Sequence, residues 1–544
     1  MTTGDQFGLR ASAIGLRWPL MPVVLAAAVV AMLLVTFASA DHYTNDAAQY
    51  LSGVYHLLAG DGLRTSAIYF EVQANQGVPA IQTVWPPGLP LVVAAVVWLT
   101  GLDAITATVF TNALAHAATA CLIAWIMLKL SLNRVWSIAV GICYAAYVPA
   151  WRLVLSGLAE PIYLLLIAAS LAALMKAFDE GKDAVPAWLA IAASCIGMGA
   201  WFRYQAIFHI VPLGLLILYA FLRRDSAIRA VLRTSLVCLP GALIFLVLIA
   251  RNWLVAGSLS GAGSSSTSNS LSDLVSQGLW VVLNLLGVVD GLTKLAAVAV
   301  LVLVALWSIF YAKERGSNFR LAFDMRGATA FYAISGGLFT AAVIVGLALR
   351  SNFYLLEARY FLSSGILFLI GLYALSASFG RTAAVPRFSR ILGIAAGTSV
   401  VLLLAAQVFH FVSRAGAPGE SALIRQHLAT PYRDGTVASF LKASASSRSP
   451  VLSNQSQLLH IAIGRATFGI PERRLTARTW GSEDIYAVAR RLGVSHAVIF
   501  KTMPLGAKDG TTDYVWRLAR SRQGWLSPLL ETDQIVLYRI VDRW

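Results

Sequence analysis

Long apolar runs separated by short polar segments set the pattern of most of this chain. Runs near the ~20 residues that cross a hydrocarbon core recur at 19–38, 105–129, 135–155, 161–177, 186–201, 205–222, 234–250, 294–312, 328–349, 360–379 and 391–412. They predict about eleven transmembrane helices, because runs this continuous do not suit barrel strands. Two apolar pieces are short. PPGLPLVVAAVVWLTG (86–101) opens with two prolines and is expected as a re-entrant or interfacial segment. Residues 281–292 are expected as another interfacial piece. Residues 251–280 contain GSLSGAGSSSTSNSLSD, the composition of a flexible loop. From about 413 polar and apolar positions alternate instead. This predicts strands near 448–453, 495–501 and 534–540. It also predicts a helix over 482–493, with acids in its first turn, Arg490 and Arg491 in its last, and Gly493 as its stop. The expected architecture is an all-α polytopic membrane domain over 1–412, followed by a soluble α/β domain over 413–544. Within the membrane domain, 41–104 form a first outer loop with interfacial helices.

Composition agrees with a membrane class: 12% of residues are charged, against about 25% in soluble domains. The formal net charge of +16 would otherwise invite a nucleic-acid reading. Here the basic residues gather in alternate loops, such as Arg223/Arg224/Arg229/Arg233 and Arg381/Arg387/Arg390, so charge reports topology and no nucleic-acid partner is expected. If 86–101 does not span, every basic loop falls on one side. The threading predicts an integral cytoplasmic (inner) membrane protein with a cytoplasmic N-terminus and an extracytoplasmic C-terminal domain. Arg10 and Arg17 precede the first run, and ASAD (38–41) mimics a cleavage site. The run is long for a signal peptide, so it is expected to stay as a helix. Cys121, Cys143, Cys195 and Cys238 all lie inside apolar runs, which gives neither a disulfide framework nor a CxxC metal site. No internal repeat of the kind that marks inverted transporter halves stands out.

The threading collects unusual polar groups on the outer side. SADHYTNDAAQYLSGVYHLLAGDG (39–62) places Asp41, His42, Asn45 and Asp46 just beyond the first span. Asn45 is expected to cap a helix that carries Asp46 in its first turn and ends at Gly60, lying on the apolar face of Leu51, Val54, Tyr55 and Leu58. A helix-start acid favoured by the dipole explains Asp46 on its own. Glu160, in SGLAEP, begins another helix on the same side, with Pro161 suited to its first turn. Arg203, Arg251 and Arg359 sit at outer helix ends, with Arg350 nearby. Single arginines there can anchor in headgroups, whereas several facing a group of acids suit phosphate.

The order and common side of ND…QY (45–50), WPPGLPL (85–91), SGLAEP (156–161), FRYQ (202–205), RNWLVAG (251–257) and ARYFL (358–362) resemble the GT-C superfamily of membrane glycosyltransferases. The likeness is to its aminoarabinose-transferase and protein O-mannosyltransferase group, over about 20–412. The resemblance implies an inverting enzyme. It would move a single hexose or pentose from a polyprenyl-phosphate donor to a hydroxyl of an envelope glycan, lipid or protein. It further implies Asp46, with Asp41 as rival, as catalytic base, and Glu160 as an assisting acid. Arg203 matches the donor-phosphate position, where the aminoarabinose branch often has lysine; Arg251 and Arg359 join it. Tyr50, Trp85, Tyr204 and Glu357 would line the donor or acceptor pocket. No WWDYG-like motif is present, so whole-oligosaccharide transfer to Asn is not expected.

The chemistry fits these residue types. An acceptor hydroxyl must lose its proton to a carboxylate as it attacks, and the leaving phosphate needs fixed positive charge. No cofactor is expected. A divalent metal on Asp41, His42, Asp46 and His56 would follow no known ligand spacing. Two other classes compete: a lipid or glycan transporter, and a noncatalytic envelope scaffold that binds glycan or protein through its tail. The tail itself reads either as an acceptor-positioning domain or as a cover.

Overall fold

The computed structural model describes residues 21–37, 43–69, 71–131, 134–179, 185–257, 271–285, 325–350, 356–379, 405–409, 412, 420–444, 449–469, 481–501 and 524–541. Helix α1 (Met21–Phe37) leads into α2 (Asn45–Leu58), then into a loop holding α3 (Glu71–Gln76) and the short strands β1 (Arg64–Thr65), β2 (Ala67–Ile68) and β3 (Ala80–Ile81). Helix α4 (Gly88–Thr100) has 13 residues. At 1.5 Å per residue it reaches about 20 Å, short of a hydrocarbon core of about 30 Å. Gly101 ends it and Asp103 accepts from the amides of Ile105 and Thr106, both at 3.0 Å, so the chain reverses tightly into α5 (Ala104–Ser131).

The bundle continues with α6 (Arg134–Ala145), α7 (Val148–Leu155), α8 (Glu160–Asp179), α9 (Pro186–Ala200), a 3-10 turn (Tyr204–His209), α10 (Ile210–Leu222) and α11 (Ala227–Ala256). Helices α12 (Leu271–Leu285), α13 (Met325–Arg350) and α14 (Ala358–Phe379) complete the part described. Among the described residues five helical stretches are long and apolar enough to cross a membrane, or six if α6 and α7 count as one. The chain therefore reads as an integral membrane protein. Helix α11 keeps large apolar side chains such as Leu236, Leu246 and Leu254 exposed, as a lipid-facing helix does.

Several expectations change. The span at 135–155 is bent by 42° between α6 and α7, where Pro149 removes a backbone donor in the first turn of the second piece. The loop expected over 251–280 is helical at both ends: α11 runs on through Ala256, and α12 begins at Leu271. The serine-rich run masks an amphipathic repeat in LSDLVSQGLWVVLNL. Thr44, not Asn45, is the residue before the first turn of α2. The span at 294–312, and most of that at 391–412, lie outside the described residues.

The C-terminal region is a layered α/β unit. Its helices are α15 (Glu420–Leu428), α16 (Val437–Ala443), α17 (Ser456–Ile463) and α18 (Ser482–Arg491). The two-residue strands β4 (Pro431–Tyr432) and β5 (Gly435–Thr436) form a small hairpin. The main sheet adds β6 (Val451–Ser453), β7 (Thr467–Gly469), β8 (His496–Phe500), β9 (Leu526–Glu531) and β10 (Ile535–Ile540) in the order β2-β7-β6-β8-β10-β9. The first four strands run parallel and the last two pair antiparallel. Apolar side chains bury on both faces, Ile68, Phe468, Ile485 and Trp525 on one and Leu441, Leu458, Val498 and Phe500 on the other.

The edge strand β2 comes from the first loop, some four hundred residues earlier in sequence than its partner β7. Gln49 on α2 holds it there. Its Nε2 donates to the Ala67 carbonyl at 2.6 Å, and its Oε1 accepts from Thr65 Oγ1 at 3.1 Å and Gln73 Nε2 at 3.2 Å. Three and seven residues on, Ser52 Oγ accepts the Ser66 amide at 2.8 Å and His56 Nε2 meets Ser66 Oγ at 2.8 Å. One face of α2 is thus bonded to the strand that completes the tail sheet, and α17 packs against α2 from the tail side. Gln49→Leu removes three buried hydrogen bonds and is expected to cost about 1–3 kcal/mol. Hydrogen exchange should then speed up at 65–69 and 467–469 while α5 and α8 stay protected. Unchanged protection of those strands would mean that Gln49 does not hold them.

Candidate active site

Three turns bring charged side chains to one end of the bundle. Before α2, buried Tyr43 donates its hydroxyl to the Ile105 carbonyl at 3.0 Å, and Thr44 Oγ1 lies 3.4 Å from the Ser156 carbonyl. The SGLAEP turn packs against this entry. Gly157 has φ +69°, and a Cβ there would lie 2.7 Å from the Tyr43 ring, so a side chain fits neither the backbone nor the space. Asn112 donates to the Leu158 carbonyl at 2.8 Å and fixes the same turn. Asp46, in the first turn of α2, and Glu160, at the start of α8, are thereby aimed at a common volume.

The WPPGLP segment approaches from the other side. The Gly88 amide donates to the Trp201 carbonyl at 2.7 Å, and a Cβ on Gly88 would lie 2.5 Å from that oxygen. Arg203 follows two residues later on extended backbone, just before the 3-10 turn. The loop ahead of Trp85 is tied down by three side chains. Tyr204 Oη donates to the Thr83 carbonyl at 3.0 Å, Asn252 Nδ2 donates to Tyr204 Oη at 2.9 Å, and Arg251 Nη2 donates to the Gln82 carbonyl at 2.7 Å. Tyr204 and Arg251 thus each bond the loop that carries Trp85, and Arg251 Nη1 also donates to Asn252.

Arg359, the second residue of α14, joins the group. Its Nη1 lies 2.6 Å from Asp46 Oδ2, its Nε 2.5 Å from Glu357 Oε2 and 4.0 Å from Glu160 Oε1. Arg203 pairs with Glu160 through Nη2 and Oε1. The Tyr360 ring lies under both guanidinium groups, at 5.0 Å from Arg359 and 5.6 Å from Arg203. The Trp85 indole hydrogen-bonds the Asp46 carboxylate. Burial pushes the Asp46 carboxyl up, but Arg359, Arg203 and the bonds from Arg359 and Trp85 outweigh it and hold it below 3.8. Burial drives the nearby Tyr50 phenol well above its ordinary 10.0, so it stays neutral.

Asp46, Glu160, Arg203, Arg359, Trp85 and Glu357 are therefore linked in one contact network, with Tyr50 within electrostatic reach of both acids and both arginines. The helix dipole is not the main partner of Asp46; a guanidinium is. Asp41 and His42, and the side chain of Arg350, lie outside the described residues. His56 stands ten residues along α2 from Asp46, about 15 Å at helical rise. It is bonded to Asp61 and Ser66, both at 2.8 Å, so it does not join Asp46 in one ligand set. Sequence reasoning missed Tyr360 as the platform beneath both arginines and Asn252 as a support of the loop, although ARYFL and RNW contain them. It also missed four buried polar atoms at the network that make no hydrogen bond: Glu160 Oε2, Arg203 Nε, Tyr50 Oη and Arg359 Nε, the last in ion-pair contact with Glu357.

No family model and no curated protein matches the chain. Solved structures do. ArnT from Cupriavidus metallidurans bound to undecaprenyl phosphate aligns with a TM-score of 0.52 at 13% identity, over 95% of this chain and 98% of that one. The oligosaccharyltransferase AglB from Archaeoglobus fulgidus, in complex with an inhibitory peptide and a dolichol-phosphate, aligns with a TM-score of 0.50 at 11% identity, over 94% of this chain and 72% of that one. At such identities the likeness speaks for the fold alone, and this chain shares the architecture of these two proteins.

Proposed function

We propose that this chain is a glycosyltransferase. It takes a sugar from a polyprenyl-phosphate carrier and gives it to a hydroxyl of an envelope glycan, lipid or protein on the non-cytoplasmic side of the inner membrane. The observation that carries the reading is the part-buried contact between Asp46 and Arg359: a carboxylate kept ionised beside a guanidinium, on a fold whose solved examples hold undecaprenyl phosphate and dolichol-phosphate. In one displacement the acceptor oxygen bonds to the anomeric carbon and passes its proton to Asp46. The bond from that carbon to the phosphate oxygen breaks, and polyprenyl phosphate leaves with the electron pair. Inversion follows from the single step.

Arg359 is the group we assign to the phosphate. Three carboxylates surround two guanidiniums in the network, so an incoming phosphate must replace an acid. Glu357 is the one to yield: its side chain is 41% exposed, against 17% for Asp46 and 1% for Glu160. It occupies the Nε edge of Arg359 that a phosphate oxygen would take. Just inside the bundle, Thr119, Leu164, Ile167, Ser363 and Ile366 line a small apolar gap among α5, α8 and α14.

The test uses purified full-length protein in nanodiscs, supplied with envelope lipid extract as donor and envelope glycan as acceptor, with released polyprenyl phosphate read by mass spectrometry. Asp46→Asn should lower kcat by about 100-fold or more, the range lost with a general base. Full turnover in that variant would remove Asp46 from the base role. Glycan movement with no release of polyprenyl phosphate would remove the reaction. Glu357→Gln should lower KM for the donor with kcat unchanged; a raised KM would mean that Glu357 helps to bind it. The pH profile follows from the direction of the Asp46 shift. A carboxyl held below 3.8 loses its charge only as pH falls through that lowered value. Wild-type kcat/KM should therefore show no Asp46 limb between about pH 7 and 5. A limb in that range that disappears in Asp46→Glu or shifts with Arg359→Lys would contradict the assignment.

A further inference from the structure

Building on the glycosyl-transfer reading, we propose that Glu160, Arg203 and Tyr50 form a recognition site for one sugar hydroxyl, separate from the phosphate position on Arg359. A buried arginine–carboxylate pair usually closes as a fork, with two parallel N–H···O bonds. This one is joined at a single point, Nη2 to Oε1. Arg203 Nε and Glu160 Oε2 are left without partners, although the residues are only 8% and 1% exposed. Tyr50, 1% exposed, adds a third unpartnered atom, Oη, and lies within electrostatic reach of both charged groups. Buried polar atoms are almost always bonded, so the facing open edges of Arg203 and Glu160 mark a position for a ligand.

The atom types choose the ligand. Arg203 Nε only donates, and Glu160 Oε2, as a carboxylate oxygen, only accepts. A phosphate oxygen would satisfy Arg203 and be repelled by Glu160. An ammonium would satisfy Glu160 and be repelled by Arg203. A hydroxyl serves both, because it accepts from Nε–H and donates to Oε2. The neutral Tyr50 phenol can add a bond to the same oxygen or to its neighbour on the ring. A sugar hydroxyl carries this chemistry, whether it belongs to the donor sugar or to the acceptor. Arg203 thus moves from the phosphate to the sugar, and Glu160 becomes a reader of hydroxyl position.

The test is a deoxy scan with the full chain in nanodiscs. Donors are polyprenyl-phosphate arabinose and mannose, together with the sugar identified by mass in the lipid-extract assay, each with its single-deoxy analogues. Acceptors are the corresponding octyl glycosides and their single-deoxy analogues, beside the envelope glycan. One deoxy position, on the donor or on the acceptor, should lose about 100-fold or more in kcat/KM, because the analogue leaves buried polar groups unpaired. The side on which it occurs names the source of the hydroxyl. Glu160→Gln turns the acceptor atom into a donor and should bring the parent sugar down to its deoxy analogue. Tyr50→Phe should narrow the same gap and no other.

If all single-deoxy donors and acceptors react within about threefold of their parents, the site does not read a hydroxyl, while the transferase reading stands. If wild-type protein consumes no donor, including those in the extract, both readings fall. The wild-type scan needs no variant, so a misfolded Tyr50→Phe protein does not leave the question open.

Discussion

Charge withdrawn from water must be paired, and the pairing of Asp46 with Arg359 and of Glu160 with Arg203 governs how this end of the molecule is built. Each acid comes from a helix start and each arginine from a different segment, so the pairs join α2, α8, the 3-10 turn and α14 at one place. Removing one partner strands the other, which is why the surrounding turns are fixed so closely. Gly157 lets the Tyr43 ring lie on the SGLAEP turn, and Gly88 lets the WPPGLP segment touch the carbonyl of Trp201. Tyr360 supplies a polarisable floor to both guanidiniums.

The first loop serves two structures at once. The N-terminal turn of α2 presents Asp46 to the ionic network, while Gln49, Ser52 and His56 on the same helix are bonded around strand β2 and its neighbours. That strand is the edge of the tail sheet. The helix that carries the carboxylate is therefore joined to the tail sheet by direct hydrogen bonds. The first loop and the tail thus share one sheet.

Much of this was legible in the chain. Loop charge placed Asp46, Glu160, Arg203 and Arg359 on one side, because basic residues distribute by topology and leave the exceptions visible. Three tail strands, β6, β8 and β10, followed from alternation, while β7 and β9 did not, and the helix over 482–493 followed from its charged ends and Gly493. What was hidden has physical reasons. A two-residue strand such as Ala67–Ile68 has no period to detect, so its place in the sheet could not be read. The serine run concealed the repeat of α12. Arg251 and Arg203 look alike at helix ends, yet one holds a backbone carbonyl and the other a carboxylate, and only packing separates them. The open fork between Arg203 and Glu160 depends on a side-chain geometry that no spacing encodes.

The most direct measurement is the structure of the full chain in nanodiscs with polyprenyl phosphate bound. The account predicts the phosphate against the Nε edge of Arg359, at about 2.8 Å, with Glu357 displaced toward solvent and Glu160 still paired with Arg203. A phosphate seated on Arg203 or Arg251, with the Arg359–Glu357 contact intact, would contradict it and would return the phosphate role to the arginines first picked out by position alone.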